Sequence, residues 1–277
     1  MIDVTKNKVD IAQYNDLLNL AISSNTKNTR NIKRLSPFIR NAYRDYDKII
    51  GRYHLEPTAS RFKKNKKIIE DYYTSSPVAI DNELSKIRKR RLCQCPFCGR
   101  PCKPRILDHF IPKSHWPEFS ILRNNLVNQC NSCSSKKWNH YYCNTNKTAK
   151  FIHPYYSNLL TKVNFKFIFD TSSCTNIIGA SIDLKIIISR GVRGRSRRRI
   201  RKHLYELDIK KYALEYAKDK YEDILEDASY KEVDMVNRLE EDIKIANRKS
   251  SNHWDGRIFE AMLANADIKG YLVQHQP

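Results

Sequence analysis

Residues 93–137 read CQCPFCGRPCKPRILDHFIPKSHWPEFSILRNNLVNQCNSCSSKK, and they interrupt a chain that is otherwise regularly periodic. Cys95-Pro96-Phe97-Cys98 and Cys130-Asn131-Ser132-Cys133 are two C-x-x-C knuckles with 31 residues between them. A two-residue gap turns tightly enough to aim both thiolates at one ion, so the pair predicts a closed tetrahedral Zn²⁺ site. The interval exceeds the roughly 15–20 residues of a compact ribbon, so a further element has to be inserted between the knuckles. Cys93, Cys102 and Cys143 are left over, and any one of them can stand in for a ligand. Seven of the eight cysteines fall between Cys93 and Cys143. The opening MIDVTKNKVD has no apolar leader segment, so the expected compartment is reducing and cytoplasmic, where clustered thiols hold metal rather than form disulfides.

On either side of this stretch the chain reads as helix. Val9, Ala12, Leu17, Leu20 and Ala21 predict one helix, and Ile32, Leu35, Ile39, Tyr43, Tyr46 and Ile50 a second that ends at Gly51. Two shorter helices are expected over 61–73 and 78–91. After the cysteine-rich stretch, NFKFIFD (164–170) alternates with period two and IDLKIIIS (182–189) is rich in β-branched residues, which predicts a hairpin. From Arg197 the spacing is helical again to the C-terminal region. The expectation is an α+β chain in three parts: a helical region 1–92, a small metal-bearing module 93–160, and a β-hairpin with a basic, helical region over 161–277.

Charge points to the partner. The 277 residues carry 51 Lys and Arg against 30 Asp and Glu, a net +21. The first 202 residues hold +26 and the remainder −5, so a polyanion is expected to meet the first two-thirds of the chain. Arg190, Arg193, Arg195, Arg197, Arg198, Arg199, Arg201 and Lys202 place eight cations in thirteen residues with almost no acidic neighbours, a pattern suited to phosphate contact. Arginine in preference to lysine suits bidentate recognition. Lys63, Lys64, Lys66 and Lys67 form a second basic cluster. Only seven glycines argue against a Gly-rich nucleotide-binding fold, and no apolar run approaches the roughly 18 residues of a membrane span.

Between the knuckles stand Leu107-Asp108-His109-Phe110-Ile111-Pro112 and Asn124-Asn125-Leu126. With CPFC before them, and CNSC and Lys137 after them, they resemble in order the HNH endonuclease family, a ββα-metal module stapled by a four-cysteine zinc site. The resemblance covers residues 93–143. It implies an HNH module flanked by mainly helical regions, and a metal-dependent endonuclease that hydrolyses phosphodiester bonds in DNA, or in RNA. It gives His109 the role of general base. Asp108 becomes a ligand of a catalytic divalent ion, Mg²⁺ foremost, and Asn125 a hydrogen-bonding brace for the backbone near the imidazole. Lys137 joins the arginine run as a nucleic-acid contact. The implied setting is restriction, antiphage defence or mobile-element biology, with a regulatory partner such as an ATPase and a homodimer for cutting two strands. At the third signature position, where the family carries Asn or His, this chain has Ser134. A hydroxyl is the weaker ligand, so Ser134 is expected to hold the catalytic ion with Asp108 at lower affinity, or through a water, or with Asn131 or His140 in its place. The alternative is a catalytically impaired, zinc-stapled nucleic-acid-binding protein. Independently of the resemblance, Asp108 and His109 are adjacent on an expected strand and should point to opposite faces, which assigns them separate duties.

Overall fold

The computed structural model describes all 277 residues, and the chain divides into two compact units, each discontinuous in sequence. One unit comprises residues 3–92 and 103–158, the other residues 1–2, 93–102 and 159–277. No helix is long and apolar enough to cross a membrane.

In the first unit, helices α1 (Asp16–Ser23), α2 (Thr29–Gly51), α3 (Lys66–Thr74) and α4 (Val78–Arg88) precede an antiparallel pair, β1 (Ile106–His109) and β2 (Leu126–Gln129). A short helix, α5 (Asn131–Lys137), follows, and then a two-residue ladder, β3 (Tyr142–Cys143) with β4 (Thr148–Ala149). The first predicted helix starts later than Val9 because the Asn124 side chain captures that residue's backbone. Asn124 Oδ1 accepts from the Val9 N–H at 2.9 Å, and its amide donates to the Val9 carbonyl at 3.0 Å. Backbone groups committed in this way are withdrawn from a helical ladder.

Helix α2 runs through Pro37, which cannot donate to the Lys33 carbonyl. The Ser36 hydroxyl donates there instead, at 2.9 Å. Of the six residues its periodicity predicts for the buried stripe of α2, Ile32, Ile39, Tyr43, Tyr46 and Ile50 are buried, while Leu35 is half-buried and Ser36 is buried beside it.

The second unit is built on the predicted hairpin, β5 (Val163–Asp170) with β6 (Ser181–Ile188), paired from Val163 opposite Ile188 to Asp170 opposite Ser181. Val163, Phe165, Phe167 and Phe169 point inward on alternate positions of β5. They meet helices α7 (Ile209–Ser229) and α9 (Trp254–Ala264), with the Phe165 and Trp254 rings 5.4 Å apart edge to face. Helices α6 (Gly194–Glu206), α8 (Met235–Lys249) and α10 (Ala266–Gln274) complete the unit. The chain is thus a mixture of helices and small antiparallel sheets, as the α+β expectation required.

Candidate functional site

The two knuckles meet. The sulfurs of Cys95, Cys98, Cys130 and Cys133 all lie within 4.8 Å of one another and all four residues are buried. Four thiolates at Zn–S distances of about 2.3 Å sit about 3.8 Å apart on a tetrahedron, so the cluster fits zinc in donor type, number and spacing.

Local structure explains each half. In the first knuckle the Gly99 N–H donates to the Cys95 carbonyl at 2.8 Å and the Arg100 N–H to Cys98 Sγ at 3.4 Å. Gly99 holds φ at +83°, a conformation that a side chain would strain, and an added Cβ would lie 3.1 Å from Met1 Cγ. In the second, Cys130 caps α5 and Cys133 lies within its first turn, with the Ser134 N–H donating to the Cys130 carbonyl at 3.0 Å. Cys93, Cys102 and Cys143 stand outside the cluster.

The strand β1 alternates as expected. Leu107 and His109 are buried on one face while Asp108 faces the other, half-buried. Each of the two site residues therefore has its own surroundings. Asp108 meets α5, where Lys137 Nζ lies 2.8 Å from its Oδ2 and donates to the His109 carbonyl at 2.6 Å. Burial pushes the Asp108 carboxyl up and the Lys137 ammonium down, and in each case the partner's charge pulls back. Lys137 is wholly buried. The reading of Lys137 as a phosphate contact is corrected by this geometry: its ammonium is engaged by Asp108 and a backbone carbonyl. Ser134 is half-buried on α5, three residues before Lys137.

His109 is buried, 6% exposed, with Nε2 donating to the Ser120 carbonyl at 2.9 Å. That bond leaves Nδ1 as the proton acceptor. The Tyr73 ring lies edge-on, 4.3 Å between centroids, and its hydroxyl donates to the Leu107 carbonyl at 2.6 Å. Burial lowers the His109 pKa to about 3, below the ordinary value that its role as a base at neutral pH presumes. The imidazole is neutral at pH 7, the form that accepts a proton, but its basicity is reduced.

Asn125 braces the loop between β1 and β2 rather than the imidazole itself. Its Oδ1 accepts from the Ile111 N–H at 2.7 Å and from the Tyr46 hydroxyl at 2.8 Å. Its amide donates to the carbonyls of Ile111 and Phe119, both at 3.0 Å. One fully buried side chain thereby ties both limbs of the loop that leaves His109 and returns past Ser120. Tyr73 and Tyr46, which hold the imidazole and this brace, carry no distinguishing mark among sixteen tyrosines in the sequence.

His153 is a structural histidine in the same unit. Its Nδ1 accepts from the Tyr155 N–H at 3.2 Å and its Nε2 donates to the Asn124 carbonyl at 2.9 Å. Burial lowers its pKa to about 3, from an ordinary 6.5. Between those values the unfolded chain binds a proton that the folded chain does not, so stability is complete above about pH 6.5 and is lost as pH falls. The urea unfolding free energy is expected to drop by about 1 kcal/mol per pH unit, for this residue alone, between pH 6 and pH 4. A free energy that is flat or rises over that range refutes the assignment of a neutral buried ring.

The arginine run occupies α6 and the turn before it. Arg190, Arg193, Arg195, Arg198 and Arg201 are exposed, and Ile200, His203 and Leu204 form the buried side of the helix. Arg197 is used internally, donating to the carbonyls of Ile188 and Val192 at 3.3 and 3.4 Å. Lys202 pairs with Glu206 at 2.9 Å, and Arg199 is half-buried. The run is therefore a surface of five outward arginines rather than eight equivalent cations.

No protein-family model matches the chain, and no solved structure matches it. Protein ea31 of Escherichia phage lambda is 37% identical over 62 residues, a match that spans 22% of this chain and 21% of that protein. What these findings establish is a chain of mixed helices and small sheets with a four-cysteine cluster able to hold zinc, distantly similar in part to a phage protein.

Proposed function

We propose that this protein is an HNH-type endonuclease that hydrolyses phosphodiester bonds, with DNA as the first substrate to test and RNA as the second. The observation that supports it best is the local frame at residues 108–137. A strand ends in Asp108 and His109, a loop braced by Asn125 returns to a second strand, and a helix opened by Cys130 and carrying Ser134 reaches the first through Lys137.

In this reading His109 Nδ1 takes the proton of the attacking water, and the Ser120 carbonyl holds the ring in the tautomer that leaves Nδ1 free. Asn125 keeps the loop, and so Ser120, in place. Asp108 and the Ser134 hydroxyl would hold a divalent ion, with water completing the shell as Mg²⁺ commonly requires. That ion supplies positive charge to the oxygens of the transition state. Asp108 would share its carboxylate between the ion and Lys137. The outward arginines of α6 would grip phosphates without reading sequence. The biological setting proposed is restriction, antiphage defence or mobile-element biology, with an ATPase-type partner and a homodimer as the assemblies to look for.

A second reading is favoured by one observation, the burial and weakened basicity of His109. It makes the protein a zinc-stapled nucleic-acid binder without catalysis. Plasmid and structured-RNA cleavage with Mg²⁺ or Mn²⁺ separates the two. Under the nuclease reading His109→Ala is expected to lose about a hundredfold or more in rate while binding persists. Equal residual cleavage by wild type and His109→Ala, or none by either, turns the assignment to the binder.

A further inference from the structure

Helix α5 ends in a strained turn. Trp138, which follows it, has φ +39° and ψ −126°, and the His140 N–H donates to the Lys137 carbonyl at 2.8 Å across it. This is the first central position of a type II′ turn, where glycine is the ordinary occupant. A bulky aromatic residue at positive φ is a genuine outlier, and such strain collects where a side chain is kept for a purpose other than stability.

The indole contributes little to the fold in return. It is 67% exposed, its one ring neighbour is His140 at 6.0 Å between centroids, and its N–H has no partner within the protein. Trp116 and Trp254, by contrast, are half-buried and fully buried. The residues around Trp138 on this turn, Lys136, Asn139 and His140, are polar and exposed. A lone aromatic plane in a polar setting does not make the contiguous apolar patch of a protein-docking face. It does match the platform on which a nucleobase stacks. The place is also specific: residue 138 is bonded directly to Lys137, whose Nζ reaches Asp108.

We propose that Trp138 is a base-stacking residue of the candidate site, receiving an unpaired nucleobase of the bound nucleic acid on its exposed face. The proposal rests on the nucleic-acid reading above and adds to it the form of the substrate: a single-stranded or locally opened segment next to the residues that act on the phosphate.

The test compares full-length wild type, Trp138→Gly and Trp138→Tyr in three measurements. These are thermal melting, anisotropy of a fluorescein-labelled oligothymidine of about 12 nucleotides, within the site size of one stacking groove, in low salt without divalent ions, and tryptophan emission during that titration. Trp138→Gly is expected to melt at least about 2 °C higher, because glycine relieves the turn. It should bind the single strand about tenfold more weakly and lose the binding-induced quenching of emission. Trp138→Tyr should stay within about threefold of wild type in affinity, because it keeps an aromatic face.

Unchanged affinity in Trp138→Gly overturns the proposal, whether or not melting rises. If wild type binds neither this strand nor a duplex of the same length, the nucleic-acid reading falls with it. If wild type and Trp138→Gly bind equally well, only the stacking role falls.

Discussion

Substitution of Cys130 by serine, or stripping of the thiol site with a strong chelator, is expected to remove about one zinc ion per chain and to abolish the ordered structure of residues 93–137. The reason is the burial of the four sulfurs. Cys95, Cys98, Cys130 and Cys133 are 0 to 7% exposed and converge within 4.8 Å, an arrangement that leaves four polarisable donors facing one point. A bound ion offsets their mutual repulsion, and because no such site exists in an unfolded chain its binding free energy is folding free energy, about 10–16 kcal/mol for structural zinc in small modules. Few other contacts in a short segment approach that size. Metal analysis by mass spectrometry together with near-ultraviolet circular dichroism checks it. A metal-free protein with an unaltered spectrum and melting transition would show the thiols to be ordinary buried cysteines.

Asp108→Ala is expected to destabilise the protein by about 3–5 kcal/mol, because it leaves the wholly buried ammonium of Lys137 with only the His109 carbonyl as partner. The double variant Asp108→Ala with Lys137→Met should recover most of that loss, since a buried ion pair replaced by apolar groups is often neutral. Denaturant unfolding of the two single variants and the double variant closes the cycle. A coupling energy near zero would mean that Lys137 does not depend on Asp108, and the account of α5 as locked to β1 through this pair would fail. The same result bears on activity assays: a dead Asp108→Ala protein is informative about chemistry only if it is shown to be folded, whereas His109→Ala removes a neutral ring and leaves the pair intact.

Much of the architecture was legible from periodicity because the elements are held by burial of one face. The α2 stripe from Ile32 to Ile50 and the alternation from Val163 to Phe169 each state which side is buried, and the structure places those sides inward. Errors fell where side chains bond to backbone. Val9 reads as helical by spacing, yet its N–H and carbonyl are taken by Asn124, more than a hundred residues away in sequence. Lys137 is marked out by the family resemblance, but as a nucleic-acid contact and not as the partner of Asp108. Its role follows from the fact that α5 lays it against β1, which no composition or spacing expresses.

The chemistry on offer was already written in the residue order: two C-x-x-C knuckles able to take a soft tetrahedral ion, an adjacent aspartate and histidine on a strand, and an excess of positive charge. These are properties of residue types at short separations, where backbone geometry is nearly fixed. Which groups are available was decided by the tertiary structure. It brought the four sulfurs within 4.8 Å, buried His109 under Tyr73 and lowered its basicity, tied Lys137 to Asp108, and left Trp138 strained in the open. Exposure and protonation depend on neighbours contributed from distant parts of the chain, and only packing selects those neighbours.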